Sequence, residues 1–220
     1  NKDKLYDFLR EMEFNRLLSL AISFYGESKD TNVKSPIQKR NESKIDIKKY
    51  ESIIDEKKLD IWLDILSEQT IISVDTETSS LNPLETELIG ISFSYAQNKA
   101  CYIPLGHKHF KCLKKDLVLK KIKKILEDPS IKKVGQNMKF DYIVLKQNGI
   151  EVNSIEDTML ISYTLDAGTN RHNLDTLSEI HLNHKPISYK ELVGTGKKQL
   201  NFSEISIDKA TEYAAEDADI

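Results

Sequence analysis

Thr70-Ile-Ile-Ser-Val-Asp-Thr-Glu77 is an apolar run of strand length that ends in two carboxylates two positions apart. On a strand, residues i and i+2 leave the same face, so Asp75 and Glu77 point one way. Two further stretches repeat the idea at helical spacing. Asn137-Met-Lys-Phe-Asp141 and Tyr213-Ala-Ala-Glu-Asp217 each place polar groups four residues apart, which share a face if the segments are helices. Three segments remote in sequence thus aim four carboxylates and a phenol in one direction. Divalent cations engaged in phosphodiester hydrolysis are held by such a set.

The rest of the chain sorts around these segments. Residues 1–25 carry Leu5, Phe8, Leu9 and Met12 at helical spacing, which predicts one amphipathic helix whose apolar stripe lacks a partner. Residues 26–49 are rich in Lys, Ser, Asn and Asp and read as a linker. A helix is expected over 53–66, with Trp62 and Leu66 on its stripe. Strands follow over 70–74, 88–95 and 100–103, the last two an antiparallel pair closed by Gln97-Asn98. A lysine-studded helix over 115–127 is ended by Asp128-Pro129. A short strand at 131–134 leads to a helix begun near Asn137 and stopped by Gly149. Helices near 156–165 and 173–181 precede a last one starting at Ile207-Asp208. Strands first, then strands alternating with helices, predict an α/β fold with a mixed β-sheet flanked by helices, the ribonuclease-H-like layout, preceded by the N-terminal helix and linker.

With 39% hydrophobic and 30% charged residues, the 220-residue chain has an ordinary globular composition and can bury a full core. No apolar run approaches membrane-spanning length and no signal peptide is seen, so a cytoplasmic monomer is expected. Cys101 sits in an apolar run and Cys112 in a lysine-rich loop, which argues against a disulfide or a zinc site. The net charge of −3 argues against nonspecific duplex binding through a wide basic surface. A metal-dependent site escapes that objection, because bound cations neutralise an acidic pocket locally.

These residues in this order resemble the 3′-5′ proofreading exonuclease domains of bacterial DNA polymerases I, in the tyrosine branch of the DEDD exonuclease superfamily. The resemblance covers residues 50–220 and extends beyond the acids to Thr78-Ser-Ser-Leu81, Val134-Gly-Gln136, Asp157-Thr-Met-Leu160, Arg171-His172 and Tyr213 to Asp219. The N-terminal segment from Leu5 to Leu18 resembles the tail of the 5′-nuclease domain that precedes the exonuclease in such polymerases, so an internal fragment is implied, cut within its C-terminal helix. The resemblance implies two divalent ions, Mg2+ with Mn2+ or Zn2+ as alternatives. They would be held by Asp75, Glu77, Asp141 and Asp217, with Asp75 bridging both and Asp141 holding the second largely through waters. Tyr213 would orient the attacking water. It implies substrate contacts from Thr76, Leu81, Gln136, Asn137, Arg171 and Tyr189, where Leu81 wedges beside the terminal base and Tyr189 stacks on it. Gly194-Thr-Gly196-Lys-Lys198 resembles a mobile basic loop near the strand. The implied partners are a single-stranded DNA 3′ end and the polymerase and 5′-nuclease domains of a longer, nucleoid-associated chain.

Singly, each feature has a plainer explanation. Asp-x-Glu can be a solvated strand end, Asn137 an N-cap and Tyr213 a packed ring, while His172, His181 and His184 read as surface histidines. In combination and in order, the three motifs outweigh these explanations. An exoribonuclease of the same superfamily and a catalytically silent scaffold are the alternatives. Because Asp217 lies three residues before Ile220, its turn is predicted to fray and to hold metal weakly.

Overall fold

The structure, a computed structural model, describes residues 1–26, 45–196 and 199–220. The chain divides into two compact units, Asn1–Asn41 and Glu42–Ile220.

The first unit holds two helices, α1 (Lys2–Glu11) and α2 (Asn15–Tyr25), where one was expected. The break has a local cause. Glu13 adopts a left-handed conformation (φ 55°), its N–H bonds to the Arg10 carbonyl and the Phe14 N–H bonds to the Leu9 carbonyl. That pair of bonds is the Schellman ending, usually marked by glycine at the left-handed position. Of the expected stripe only Leu9 is buried, together with Tyr6, whose hydroxyl donates to the carbonyls of Gly26 and Ala21.

The second unit contains strands β1 (Glu51–Ser52), β2 (Ile71–Thr78), β3 (Leu88–Ala96), β4 (Lys99–Pro104), β5 (Lys132–Gly135) and β6 (Ile155–Asp157). Its helices are α3 (Glu56–Ser67), α4 (Lys115–Leu126), α5 (Lys139–Gln147), α6 (Thr158–Leu165), α7 (Leu174–Leu182), α8 (Tyr189–Val193) and α9 (Ile207–Asp219). The six strands form one sheet in the order β1-β4-β3-β2-β5-β6. β3 runs antiparallel to β2 and β4, and the other neighbours are parallel. The β3–β4 turn falls at Gln97-Asn98 as expected, with Asn98 at φ 59°.

Each sheet face is covered by a different set of helices. On one face Ile72, Val74 and Phe93 pack with Leu59, Trp62 and Leu66 of α3, Val118 and Ile122 of α4 and Val144 and Leu145 of α5. Burying each such side chain contributes roughly 1.5–3 kcal/mol. On the other face α9 packs on Ile89 and Tyr102 through Ala210 and Ala214. Alanines at the contact let the α9 backbone approach the sheet closely, which later brings Asp217 within reach of β2.

Several expectations need correction. β2 does not stop at Val74 but runs through both acids to Thr78. Residues 156 and 157, expected to begin a helix, belong to β6, which pairs with β5 at the sheet edge. Of the expected linker, residues 27–44 lie outside the described residues, while Ile45 and Ile47 pack against Tyr50, Ala100 and Ala215 of the second unit. The last turn of α9 is tied down. Asp219 accepts hydrogen bonds from Tyr50 Oη (2.9 Å), Ser94 Oγ (3.1 Å) and the Asn98 amide (2.9 Å). Among the described residues no helix is long and apolar enough to cross a membrane.

Candidate active site

β2 lies in the middle of the sheet, and the alternation of a strand sends Ile72 and Val74 into the core while Asp75 and Glu77 face α9. Just past the acids, Glu77 pairs with Gly90 but Thr78 pairs with Leu88, so Ile89 is an extra residue on β3. Bulges of this kind bend the strand and re-aim side chains. Across the gap α9 supplies Asp217. Carboxylate oxygens of Asp75, Glu77 and Asp217 all lie within 4.8 Å of one another. One turn earlier on α9, Tyr213 shares a hydrogen bond with Asp217, as the four-residue spacing requires.

Asp141 stands outside this group of three. It rises from the first turn of α5, and its Oδ1 accepts from the Thr76 amide at 3.0 Å and from the Thr76 hydroxyl. Thr76 therefore places both donors on a carboxylate and holds Asp141, while also lining the groove beside the acids.

The electrostatics follow from crowding acids where water is scarce. Burial, then the charges of Asp141 and Asp217, raise the Asp75 carboxyl well above the usual carboxylate range. Burial, then Asp75, does the same to Glu77. Asp217 is pushed up to about 8 by burial, opposed by its bond from Tyr213, and Asp141 to about 6 by burial, opposed by Thr76. Among the described residues none of the ion pairs involves these four acids. Since these groups bind protons more tightly folded than unfolded, without metal their charge is a cost that grows as pH rises from about 4 to about 8. In EDTA the melting temperature is therefore expected to fall across that interval, and millimolar Mg2+ to flatten the fall. Melting curves at pH 5 and 8 with and without Mg2+ check this, and a temperature that rises with pH in EDTA contradicts it.

Asp75, Glu77 and Asp217 lie in a groove of about 880 Å3. Leu81, 93% exposed, stands on one rim; Phe140, Tyr189, Leu200 and Asn201 continue the walls. The Leu81 turn is braced from within: Ser79 Oγ lies 3.2 Å from Thr86 Oγ1, the Ser80 amide donates to Thr86 Oγ1 and the Glu87 amide to Ser79 Oγ. From across the groove Asn201 Nδ2 donates to the Ser79 carbonyl at 2.8 Å. The ring of Tyr189 meets that of Tyr213 edge-on, centroids 6.0 Å apart.

Gln136, Asn137 and Arg171 do not line this groove. Gln136 Nε2 donates to the His172 carbonyl and its Oε1 accepts from Thr158. Asn137 precedes α5 rather than opening it and sits at φ 58°, so its helical pairing with Asp141 does not form. Its amide and that of Met138 are held by Asp157, which also caps α6. Arg171 is exposed. Of the basic loop around Gly194, residues 197 and 198 lie outside the described residues, and Gly196 lines the groove. Phe140 and Asn201 escaped the sequence reading. Phe140 is visible only as the neighbour of Asp141, and Asn201 only through the capping box that it forms with Glu204.

Residues 50–220 match the family described as 3′-5′ exonuclease. DNA polymerase I of Rhizobium leguminosarum is 43% identical over 194 residues, covering 78% of this chain and 19% of that protein. DNA polymerase I of Pseudomonas aeruginosa is 35% identical over 225 residues, covering 100% of this chain and 24% of that protein. The chain therefore spans about a fifth to a quarter of the length of these relatives. Among solved structures, Brucella melitensis NrnC with bound Mg2+ superimposes with a TM-score of 0.55 at 22% identity, over 77% of this chain and 74% of that one. At that identity the likeness speaks to the fold alone, which is the expected ribonuclease-H-like one.

Proposed function

Because this chain belongs to the 3′-5′ exonuclease family, we propose that it removes the terminal nucleotide from single-stranded or frayed DNA 3′ ends. The products would be nucleoside 5′-monophosphates, and the reaction would be the proofreading step of a longer bacterial DNA polymerase of the cytoplasm and nucleoid. The observation that carries this reading is the convergence of Asp75, Glu77 and Asp217 within 4.8 Å at the bottom of an open groove.

The donor set suits a hard divalent cation. It is all oxygen, strongly anionic and paired with no cation among the described residues, the chemistry that Mg2+ or Mn2+ accepts. Asp75, Glu77 and Asp217 would hold one ion, and Asp75 with Asp141 a second. Such ions supply activation of water and charge neutralisation at the leaving oxygen.

The chain's own residues do the rest. Burial and three nearby carboxylates raise the Tyr213 phenol far above its ordinary value, so at neutral pH it keeps its proton and cannot serve as a base. Its hydroxyl orients water beside Asp217. Leu81, Phe140 and Tyr189 offer apolar and aromatic surfaces for the last bases, and stacking accepts any base, as a proofreader requires. Thr76 fixes Asp141 through its amide and hydroxyl.

Digestion of a labelled single-stranded DNA beside an RNA of the same sequence tests the proposal. Faster loss of DNA supports it, faster loss of RNA identifies an exoribonuclease, and loss of neither identifies a silent scaffold. Two variants refine it. Tyr213→Phe is expected to slow single-turnover cleavage about ten- to a thousandfold with little change in DNA affinity; an unchanged rate reduces the tyrosine to packing. Deleting residues 1–40, all but the last residue of the first unit, is expected to leave single-strand cleavage nearly unchanged. A large loss with an unchanged melt assigns that segment to the site.

A further inference from the structure

Glu216 is a carboxylate beside Asp217 that takes no part in the site described, and its residue is only 1% exposed. Its two oxygens are both engaged by one segment, the connection between α7 and α8. Oε1 lies 2.8 Å from His184 Nε2, and Oε2 accepts the Ile187 amide at 2.6 Å. A carboxylate only accepts, so His184 Nε2 carries the hydrogen.

That connection has few other ties. It leaves α7 through Asn183 in the left-handed conformation, and His184 is fixed to Ser178 by two bonds, from its own amide and to its carbonyl. Two residues after Ile187 comes Tyr189, the first residue of α8, whose ring stands against Tyr213. Tyr213 is three residues before Glu216 on α9. The contacts therefore close a circuit from Tyr213 along one turn of α9 to Glu216, across to Ile187 and His184, and back through Tyr189 to Tyr213.

We propose that Glu216 and His184 are positioning residues, a clamp that docks the α7–α8 connection on α9 and sets Tyr189 as the wall of the groove against the terminal bases. The inference rests on the exonuclease reading of that groove. Neither residue touches substrate or the reacting atoms. Their effect runs through where Tyr189 stands, and a wall displaced by about 1 Å weakens the hold on the strand before it alters the chemistry at Asp75, Glu77 and Asp217.

The test uses the 220-residue chain, a single-stranded oligonucleotide with 2-aminopurine at its 3′ end, and the variants His184→Ala and His184→Gln. Glutamine places an amide hydrogen near the position of Nε2. In single-turnover cleavage with Mg2+, H184A is expected to raise the half-saturating DNA concentration about tenfold while the saturated rate stays within about twofold. In EDTA the 2-aminopurine fluorescence change on binding should shrink in H184A, and H184Q should restore both readouts. The His184 side chain is 23% exposed, so H184A should melt cooperatively; if it does not, His184→Asn, whose amide falls short of Nε2, replaces it. A wild-type chain that cleaves while H184A matches it in half-saturation and fluorescence overturns the clamp alone. Equal failure of H184A and H184Q also overturns it, since any change at the position would then suffice. A wild-type chain that neither binds nor cleaves the oligonucleotide overturns the exonuclease reading and the clamp with it.

Discussion

Asp75→Ala is expected to lower single-turnover cleavage by about a thousandfold or more while raising the melting temperature in EDTA. Both effects have one origin. Asp75 is coupled to the rest of the cluster: its charge is raised in cost by burial and then by Asp141 and Asp217, and it contributes to the cost of Glu77 and Tyr213 in turn. Removing it relieves repulsion that the apo fold carries at neutral pH, because each of these carboxyls holds its proton more tightly folded than unfolded. The same removal would take away the ligand that the proposed site shares between its two cation positions. Since the cost appears only when the acids are ionised, the melting gain should be larger at pH 8 than at pH 5. A variant that cleaves at near wild-type rate contradicts the site, and one that is inactive but melts lower in EDTA contradicts the electrostatic account.

Gly90→Ala is expected to have the largest effect on stability, about 3 kcal/mol. Gly90 pairs with Glu77 on one side and with Pro104 on the other, and the Tyr102 ring lies across it. An added Cβ would sit 2.0 Å from Tyr102 Oη and 2.2 Å from its Cζ. The ring cannot swing aside, since Tyr102 is fully buried, meets Phe202 edge-on and donates its hydroxyl to His107 Nε2 at 2.8 Å. His107 is itself fixed, with Nδ1 3.1 Å from the Ile205 carbonyl, an acceptor that requires the hydrogen to sit on Nδ1. Burial of this ring lowers its pKa, which favours the neutral form that accepts from Tyr102. Denaturant melts of Gly90→Ala, Tyr102→Ala and the double variant measure the clash. The double variant should be less destabilised than the sum of the two, and strict additivity would show that the methyl is accommodated elsewhere.

How far these residues could be read in advance depended on the length of the signal. β2, β3 and β4 are six to nine residues long and buried on at least one face, so their hydrophobic pattern and the Gln97-Asn98 turn stood out. Asp75 with Glu77 and Tyr213 with Asp217 stood out because spacing of two on a strand and of four on a helix shares one face, whereas Asn137 lies outside the helix that carries Asp141. β6 has three residues and β1 two, too few to show alternation, and the residues of β6 run straight into α6. Glu13 and Asn137 take left-handed conformations without glycine to mark them, which hid the break between α1 and α2 and misplaced the start of α5. The bond from Asn201 to Ser79 and that between His184 and Glu216 join residues 122 and 32 positions apart. Such pairings exist only once the sheet has brought α8 and α9 together over β2. His184 accordingly read as a surface residue.

If Asp75, Glu77 and Asp217 form a cation-dependent centre that takes nucleotides from a 3′ terminus, a single-stranded DNA labelled at its 5′ end will reveal it. With Mg2+ the labelled strand should shorten one nucleotide at a time, releasing nucleoside 5′-monophosphates, and EDTA should stop the shortening. Label released first as a mononucleotide, products cut internally, or cleavage that continues undiminished in EDTA would rule such a centre out.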